Sequence, residues 1–404
     1  MMRPWLMQWA LPAAVAIAAT RCAPAPHTPS LSRLTWLQAL ADSGKDLPRP
    51  RLPARTDTNS AASYYRWGTR LAVPTDTAEM SLFWASRLDP SWAEPLFARF
   101  LNMLRALQSD VFETYSRTWS RRSAERVTLT PRQIHVIDSL QHLAWQRNPF
   151  MISDLEFRGS APPGRLGDPM RDGWLAFAGK RFAVAESLFR VGLQKHPEAA
   201  ELRFYRARAL FYLGRFDDVV AELQAARDTV SHGVEQHLTV IVPSVEMFDF
   251  AIGIARVQQD DFPAARAAFE RALTQNLAFY WAHTRLAGSA LALNDTATAL
   301  TELDMAIQLE GHDPVLRLYR AVVLKSVRRF AEAEQDLRQA IALDPYYAEP
   351  YYWLGVSAQL LGDTATAVEN YRQFLRRSPQ DAPERLNARR GISALGAMAA
   401  ADSS

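Results

Sequence analysis

Apolar and small residues recur at helical spacing on both sides of a short turn at residues 361–363. The positions before the turn are Tyr351, Leu354, Gly355 and Ala358, and those after it are Ala367, Tyr371 and Phe374. Gly362 can supply the positive φ that a tight turn needs. Gly355 and Ala367 are expected where the helices cross, because small side chains let two backbones approach closely. The stretch 348–381 therefore predicts two antiparallel helices.

The same pattern returns at steps of 34 residues along the C-terminal half of the chain. One step back, the matching positions are Ala321, Phe330, Ala333, Leu337, Ala340 and Pro345. Further steps define six units, at 166–199, 200–233, 246–279, 280–313, 314–347 and 348–381. A 12-residue insertion, 234–245, separates the second unit from the third.

A 34-residue unit with two helices and this spacing of small and aromatic residues resembles the tetratricopeptide repeat. The resemblance implies an all-α fold, an α-solenoid of helix–turn–helix repeats wound into a right-handed superhelix. A single unit cannot bury its own apolar face, so stability is expected from the stacking of neighbours.

Outside the six units, the periodicity is weaker. In residues 59–92, apolar and small residues occupy several of the positions expected of a repeat, which predicts a degenerate unit. A helix is predicted from about Glu94 to Leu107. We interpret 59–165 as degenerate helical repeats with an insertion that begins at 108. Residues 23–58 are predicted as a linker, rich in Pro, Ser and Thr. Residues 382–404 are predicted as a capping helix and tail, with Arg385 on its polar side.

The composition is ordinary for a folded soluble chain, with 48% apolar and 22% charged residues. The net charge of +3 is small for 404 residues. No nucleic-acid partner is therefore predicted, because such proteins usually present a strongly basic surface.

The N-terminus resembles a secretory signal peptide, with Arg3 before the apolar run Leu11–Ala19. The one cysteine of the chain, Cys22, follows this run at the place where a bacterial lipoprotein is modified. Arg21 departs from the small residue that normally precedes the modified cysteine. Residues 1–22 thus predict export to the bacterial periplasm or outer membrane. Two outcomes remain open: a lipid anchor on Cys22, or cleavage after Ala18.

No arrangement of residues typical of an enzyme or metal site stands out. His135 and His142 lie seven residues apart, and His232 and His237 five apart, without the spacing of a zinc site or a cysteine nearby. There is no nucleophile elbow, phosphate-binding loop or dinucleotide fingerprint. The sequence therefore predicts no catalytic residues, no metal and no cofactor.

In tetratricopeptide arrays the first helix of each pair lines a concave groove. The resemblance places an apolar, aromatic-rich set of side chains there: Trp174, Phe177, Phe204, Arg208, Phe211, Met247, Phe250, Ile254, Trp281, Leu318, Val322, Lys325 and Tyr352. An exposed stripe of this kind would bind an apolar peptide or helix of a protein partner. In the alternative, residues 108–165, 234–245 or 31–40 of the same chain fill the groove.

These observations predict a non-catalytic protein–protein interaction scaffold of the bacterial cell envelope. Two other functions remain open at this stage. Groove aromatics could stack on a glycan or a small molecule, which a closed pocket around Trp174 and Trp281 would favour. Alternatively, residues 93–165 could form an active site, with the repeats as a recognition arm.

Overall fold

In the computed structural model of the protein, the described residues are 46–70, 72–118, 140, 143–152, 168–231 and 244–402. Within them all regular structure is helical, which confirms the all-α class. The N-terminal helices are α1 (Ala61–Gly68), α2 (Thr75–Leu88) and α3 (Ala93–Thr118). The predicted units contain α4 (Asp168–Ala178), α5 (Phe182–Lys195), α6 (Ala200–Tyr212), α7 (Phe216–Ser231), α8 (Val245–Val257), α9 (Phe262–Gln275), α10 (Tyr280–Ala292), α11 (Thr296–Leu309), α12 (Pro314–Ser326), α13 (Phe330–Leu343), α14 (Glu349–Leu360) and α15 (Thr364–Arg377). Helix α16 (Glu384–Asp402) follows them.

Each of the six units therefore holds one pair of helices, and successive helices pack on one another along the array. The turn inside every pair has one residue with a left-handed φ, always at the fifteenth position of the unit. These residues are Lys180, Gly214, Asp260, Asn294, Arg328 and Gly362, with φ between 56° and 77°. The turn geometry is thus a property of the repeat, although only two of its residues are glycines.

Small residues on the first helix of a pair pack against an aromatic ring of the second helix. A Cβ built on Gly355 would lie 2.7 Å from Cδ1 of Tyr371, and one on Gly173 would lie 2.7 Å from Cε1 of Phe189. Gly253 meets the Phe269 ring in the same way. The glycines are therefore required by the close approach of the ring, and not only by the crossing of the backbones.

The N-terminal region differs from the sequence prediction at 46–58, which was expected to be a linker. Leu47 and Leu52 are buried, and the indole Nε1 of Trp84 donates a hydrogen bond of 2.8 Å to the carbonyl of Leu47. These residues pack against α1 and α2, the helix pair that lies within the predicted degenerate repeat 59–92. Helix α3 begins near the predicted residue and runs on to Thr118.

The C-terminal helix α16 packs against α15 and α14, the last helix pair of the array. The prediction that Arg385 lies on its polar side is wrong, because Arg385 is 7% exposed. Its Nη1 donates hydrogen bonds to the carbonyls of Leu375 and Ser378 at 2.7 and 3.0 Å. The guanidinium thus satisfies carbonyl groups at the C-terminus of α15 that have no partner within the helix.

The two ends of the described chain are in contact. The rings of Trp84 and Tyr346 meet edge to face at 4.8 Å, and Arg87 lies 3.5 Å from Asp344. Burial raises the pKa of Asp344 to about 6. The N-terminal helix pair therefore packs against the C-terminal repeats. In the described ranges, no helix has the length and apolar content needed to cross a membrane.

Candidate functional site in the repeat groove

The inner wall of the array is covered by the chain's own N-terminal half. Side chains of α3 and of residues 143–152 form one buried cluster with first-helix side chains of the repeats. The members that matter here are Phe97 and Phe100 from α3, Trp145, Phe150 and Met151 from 143–152, and Phe204, Phe250, Trp281 and Leu318 from the array. We call residues 143–152 the groove segment.

Two aromatic side chains anchor the groove segment. The ring of Phe150 stacks on that of Phe211, with centroids 4.0 Å apart and an interplanar angle of 6°. The indole of Trp145 lies 5.1 Å from the ring of Phe204. Both anchors are buried, so each contributes apolar area as well as ring contact.

Polar side chains of the array hold the main chain of the groove segment. The Tyr212 hydroxyl donates a hydrogen bond of 2.7 Å to the carbonyl of Phe150, and Arg208 donates to the carbonyl of Met151. Arg285 donates to the carbonyl of Arg147 at 3.3 Å. These contacts recognise the main chain of the segment and not its side chains. Main-chain hydrogen bonds are a common way for a protein to hold an extended peptide.

One buried ion pair joins the groove segment to Asp313, the last residue of the fourth unit. Nη2 of Arg147 lies 3.0 Å from Oδ2 of Asp313, and the two side chains are 10% and 4% exposed. The guanidinium of Arg147 also lies 5.6 Å from the centroid of the Trp281 ring. Asp313 has a second role, because its Oδ1 accepts a hydrogen bond from the amide of Val315 and caps α12.

The thirteen predicted groove residues do not form an exposed apolar stripe in this conformation, because none of them is exposed. Eight of the thirteen are buried: Trp174, Phe177, Phe204, Arg208, Met247, Phe250, Trp281 and Leu318. The other five are partly buried: Phe211, Ile254, Val322, Lys325 and Tyr352. The contacts agree with the alternative, in which the chain fills its own groove. The filling residues, 143–152, lie within the range 108–165 considered for this role. Helix α3 adds to this filling from residue 93. The other two segments considered, 31–40 and 234–245, lie almost wholly outside the described residues.

Two ionisable side chains on the inner wall have no hydrogen bond within the described part of the chain. Burial raises the pKa of Glu201 to about 8, and its Oε1 is unpaired. Burial lowers the pKa of Lys325 to about 8, and its ammonium lies 4.2 Å from the centroid of the Trp353 ring. Both groups lose solvation without gaining a counter-charge, which destabilises their charged forms.

The described residues contain no group of three His, Cys, Asp or Glu side chains able to hold a metal ion. His283 Nδ1 lies 2.6 Å from Glu302, an ordinary pair between the two helices of one unit. The predicted histidine pairs at 135/142 and 232/237 lie outside the described residues. The part of 93–165 that is described packs on the array and does not form a separate domain. Trp174 and Trp281 belong to different buried clusters, so they do not face one shared pocket.

Sequence reasoning missed the contribution of Trp145, Arg147 and Phe150. They lie where the repeat register is lost, so periodicity could not place them. The available signal was composition: a ten-residue stretch with several large apolar side chains and one Arg, flanked by polar sequence.

Comparison with known proteins matches residues 171–232, 250–314 and 320–382 to a family model described as "Tetratricopeptide repeat". Among solved structures, YrrB, described as "a TPR protein with an unusual peptide-binding site", shares 19% identity with a TM-score of 0.39. That alignment covers 50% of this chain and 97% of YrrB. TTC0263 of Thermus thermophilus shares 16% identity over 48% of this chain and 99% of its own, with a TM-score of 0.37. MamA of Desulfovibrio magneticus RS-1 shares 16% over 44% and 94%, with a TM-score of 0.38. The family assignment depends on the sequence matches and the helix pairs, and not on these structural alignments.

Proposed function

This chain is a tetratricopeptide repeat protein, a type of scaffold for protein interactions, and we propose that its inner groove binds a peptide segment of a partner in exchange for its own groove segment. In the resting conformation, residues 143–152 occupy the groove. A partner segment of similar chemistry replaces them and takes over their contacts. The protein catalyses no reaction in this proposal and needs no cofactor.

The observation that carries the proposal is the way in which the groove segment is held. Its main-chain carbonyls accept hydrogen bonds from Arg208, Tyr212 and Arg285, which belong to the array. These three donors do not read the side chains of the segment, so a different peptide could use them equally well. The segment thus resembles a bound ligand more than a stretch of repeat core.

The side chains of the groove segment indicate what a partner must supply. Trp145, Arg147 and Phe150 have the spacing aromatic–x–Arg–x–x–aromatic. The aromatic residues meet Phe204 and Phe211, and the Arg meets an acidic position, Asp313. We therefore propose an apolar peptide with two aromatic anchors and one basic residue between them.

Displacement of the groove segment costs free energy. Full burial of one large apolar side chain contributes about 1.5–3 kcal/mol, so Trp145 and Phe150 together hold the segment firmly. A tethered segment also acts at an effective concentration on the order of millimolar. A free partner peptide therefore binds weakly to the intact chain, and variants that weaken the segment expose the site.

The proposal includes a location in the bacterial envelope. Its support is the sequence before residue 46, where an apolar run precedes Cys22. We propose export, with attachment to a membrane through lipid on Cys22. Incorporation of a labelled fatty acid into the wild type but not into Cys22→Ser tests the anchor, and equal labelling of both contradicts it.

The experiment for the groove compares three forms of the protein in an envelope extract of the native host. These are the wild type, the double variant Trp145→Ala/Phe150→Ala, and Leu386→Ala as a matched control at an exposed apolar site on α16. We expect a partner that co-purifies more with the double variant than with the other two. A synthetic peptide of residues 143–152 should compete with it. A partner that binds all three alike, and that the peptide does not displace, contradicts the proposal.

Aspartate substitutions in the wall of the groove, such as Phe204→Asp and Phe250→Asp, would not test partner binding. Both side chains are at most 1% exposed, so an aspartate there would place a charge in the core. Loss of a partner in such a variant would report unfolding. Changes in the groove segment leave the wall of the array intact and avoid this ambiguity.

A further inference from the structure

A cavity of about 450 Å³ lies where the N-terminal helix pair meets the C-terminal end of the array. Its walls come from residues 53–57, from one face of α1 and from the turn at Gln380 and Asp381. Small-molecule sites in proteins have volumes of about 300–1,000 Å³ and occur preferentially where separate units meet. The cavity is distant in sequence from the groove segment and does not include its residues.

Three arginines and two aspartates, Asp57 and Asp381, line this cavity. Arg55, Arg66 and Arg70 form no ion pair with any carboxylate in the described ranges. Elsewhere in the described ranges, Arg206 and Arg320 each contact two carboxylates.

The carboxylate of Asp57 accepts hydrogen bonds from two backbone amides. Its Oδ1 accepts from the amide of Asn59 at 2.9 Å, and its Oδ2 accepts from the amide of Gln380 at 2.7 Å. The second bond joins residues 323 positions apart and closes one wall of the cavity. Asp57 thus joins the segment before α1 to the turn at Gln380.

An indole and two hydroxyl residues complete the wall. The Nε1 of Trp67 is buried and has no hydrogen-bond partner in the part of the chain that the structure describes. The guanidinium of Arg70 lies 5.0 Å from the centroid of the same ring. Ser60 and Ser63 lie at the N-terminus of α1, whose partial positive charge favours an anion nearby.

From this arrangement we infer that the cavity binds a small molecule bearing an oxyanion, a carboxylate or a phosphate, attached to a planar group. Arg55, Arg66 and Arg70 supply the positive charge, and guanidinium groups suit the geometry of both oxyanions. Trp67 supplies an aromatic face and an N–H donor. A ligand here contacts residues from both ends of the chain, so its binding stabilises the closed arrangement.

The test uses three probes of similar size on the full-length protein: phenyl phosphate, benzoate and neutral phenol. Isothermal titration calorimetry and thermal unfolding give binding and stabilisation. We expect saturable binding of at least one anion, with an increase in Tm, and none for phenol. The two anions distinguish a phosphate from a carboxylate as the preferred group.

Variants then connect the binding to the cavity. Loss of one charge-assisted contact, in Arg66→Ala or Arg70→Ala, should lower the affinity for the anion by about tenfold or more. Arg372→Ala, at an exposed site on α15, is the matched control and should bind as the wild type does. Because all three arginines are exposed, the Tm of each variant without ligand should change little.

Trp67→Phe keeps an aromatic ring and removes the N–H group, so it should lower the affinity for the anion and leave the fold intact. The absence of saturable binding by both anions at millimolar concentration would overturn the inference. Equal affinity of wild type, Arg66→Ala and Arg70→Ala would overturn it as well. Neither result depends on the groove, so the two proposals fail or stand separately.

Discussion

Arg147 and Asp313 form a buried ion pair, with 3.0 Å between Nη2 and Oδ2, across 166 positions of sequence. One partner belongs to the groove segment, and the other is the N-cap of α12, the first helix of the fifth unit. The pair therefore fixes the segment to the array where the fourth and fifth units meet. A buried pair of this kind costs desolvation when it forms, but leaves a charge stranded when one member is lost.

Asp313→Asn should destabilise the protein by about 3–5 kcal/mol, because it leaves the charge of Arg147 buried without a counter-charge. The asparagine oxygen can still cap α12, so loss of the cap does not contribute. Arg147→Met should cost less, since the carboxylate retains its bond to the amide of Val315. The double variant should be more stable than the sum of the single losses predicts. Urea unfolding of the four proteins measures these differences.

The control for this cycle is the exposed pair Arg329–Glu332, whose side chains are 48% and 54% exposed. Glu332→Gln should leave the free energy of unfolding nearly unchanged, because exposed ion pairs contribute little to stability. If Asp313→Asn has an effect as small as this, the ion pair does not fasten the segment.

Gly355→Ala should destabilise the protein, although alanine is the better helix former. Its Cβ would lie 2.7 Å from Tyr371, whose ring is also confined by Gly391 and whose hydroxyl is bonded to Gln359. Overpacking of this kind costs about 1–3 kcal/mol. At Gly288, a Cβ meets nothing within 4 Å, so Gly288→Ala should stabilise by up to about 1 kcal/mol. Thermal unfolding that ranks the two variants in the opposite order would contradict the packing.

Glu201→Gln should stabilise the protein most at alkaline pH. Burial raises the folded-state pKa of Glu201 to about 8, while an unfolded glutamate has a pKa of about 4.3. The folded state therefore holds a proton that the unfolded state releases, so wild-type stability falls as pH rises between these values.

Glutamine does not titrate, so the advantage of the variant should grow by up to about 1.4 kcal/mol per pH unit across this window. It should be small at pH 4 and level off above the folded-state pKa. Chemical unfolding over a pH series measures it, with exposed Glu198→Gln as the matched control. An advantage independent of pH would show that Glu201 is charged in the folded protein.

Arg328→Gly should stabilise the turn between α12 and α13. Arg328 has a φ of 63°, which a side chain with a Cβ adopts at a cost of about 1 kcal/mol. Glycine removes that cost but gains freedom in the unfolded chain, so the net gain is a fraction of it. Arg328→Ala keeps the unfavourable φ and should show no gain in Tm. Equal Tm values for the two variants would contradict the left-handed φ of Arg328 as the source of the cost.

The repeat units could be predicted from the sequence because each depends on contacts within about 34 residues. Pairs such as Gly355 and Tyr371 recur at a fixed separation, so periodicity identifies them. The helix pairs accordingly fall in the predicted units, and α8 begins at Val245, one residue before the third unit was expected to start.

The contents of the groove could not be predicted in this way. Phe150 and Phe211 are 61 positions apart, and Arg147 and Asp313 are 166 apart, with no repeated pattern to relate them. The spacing of residues such as Phe250 and Trp281 predicts the wall on which they lie but not what covers it. Burial of Arg385 was missed for a related reason, because its carbonyl partners lie in the preceding helix.

In this proposal, the groove is a peptide site that the chain occupies with its own residues. The direct measurement is the affinity of a labelled peptide of residues 143–152 for the wild type and for Trp145→Ala/Phe150→Ala, by fluorescence anisotropy. We predict clear binding to the double variant, little to the wild type, and loss of binding when the peptide itself carries Trp145→Ala. A folded double variant that fails to bind the peptide, or that binds it no better than the wild type does, would contradict the account.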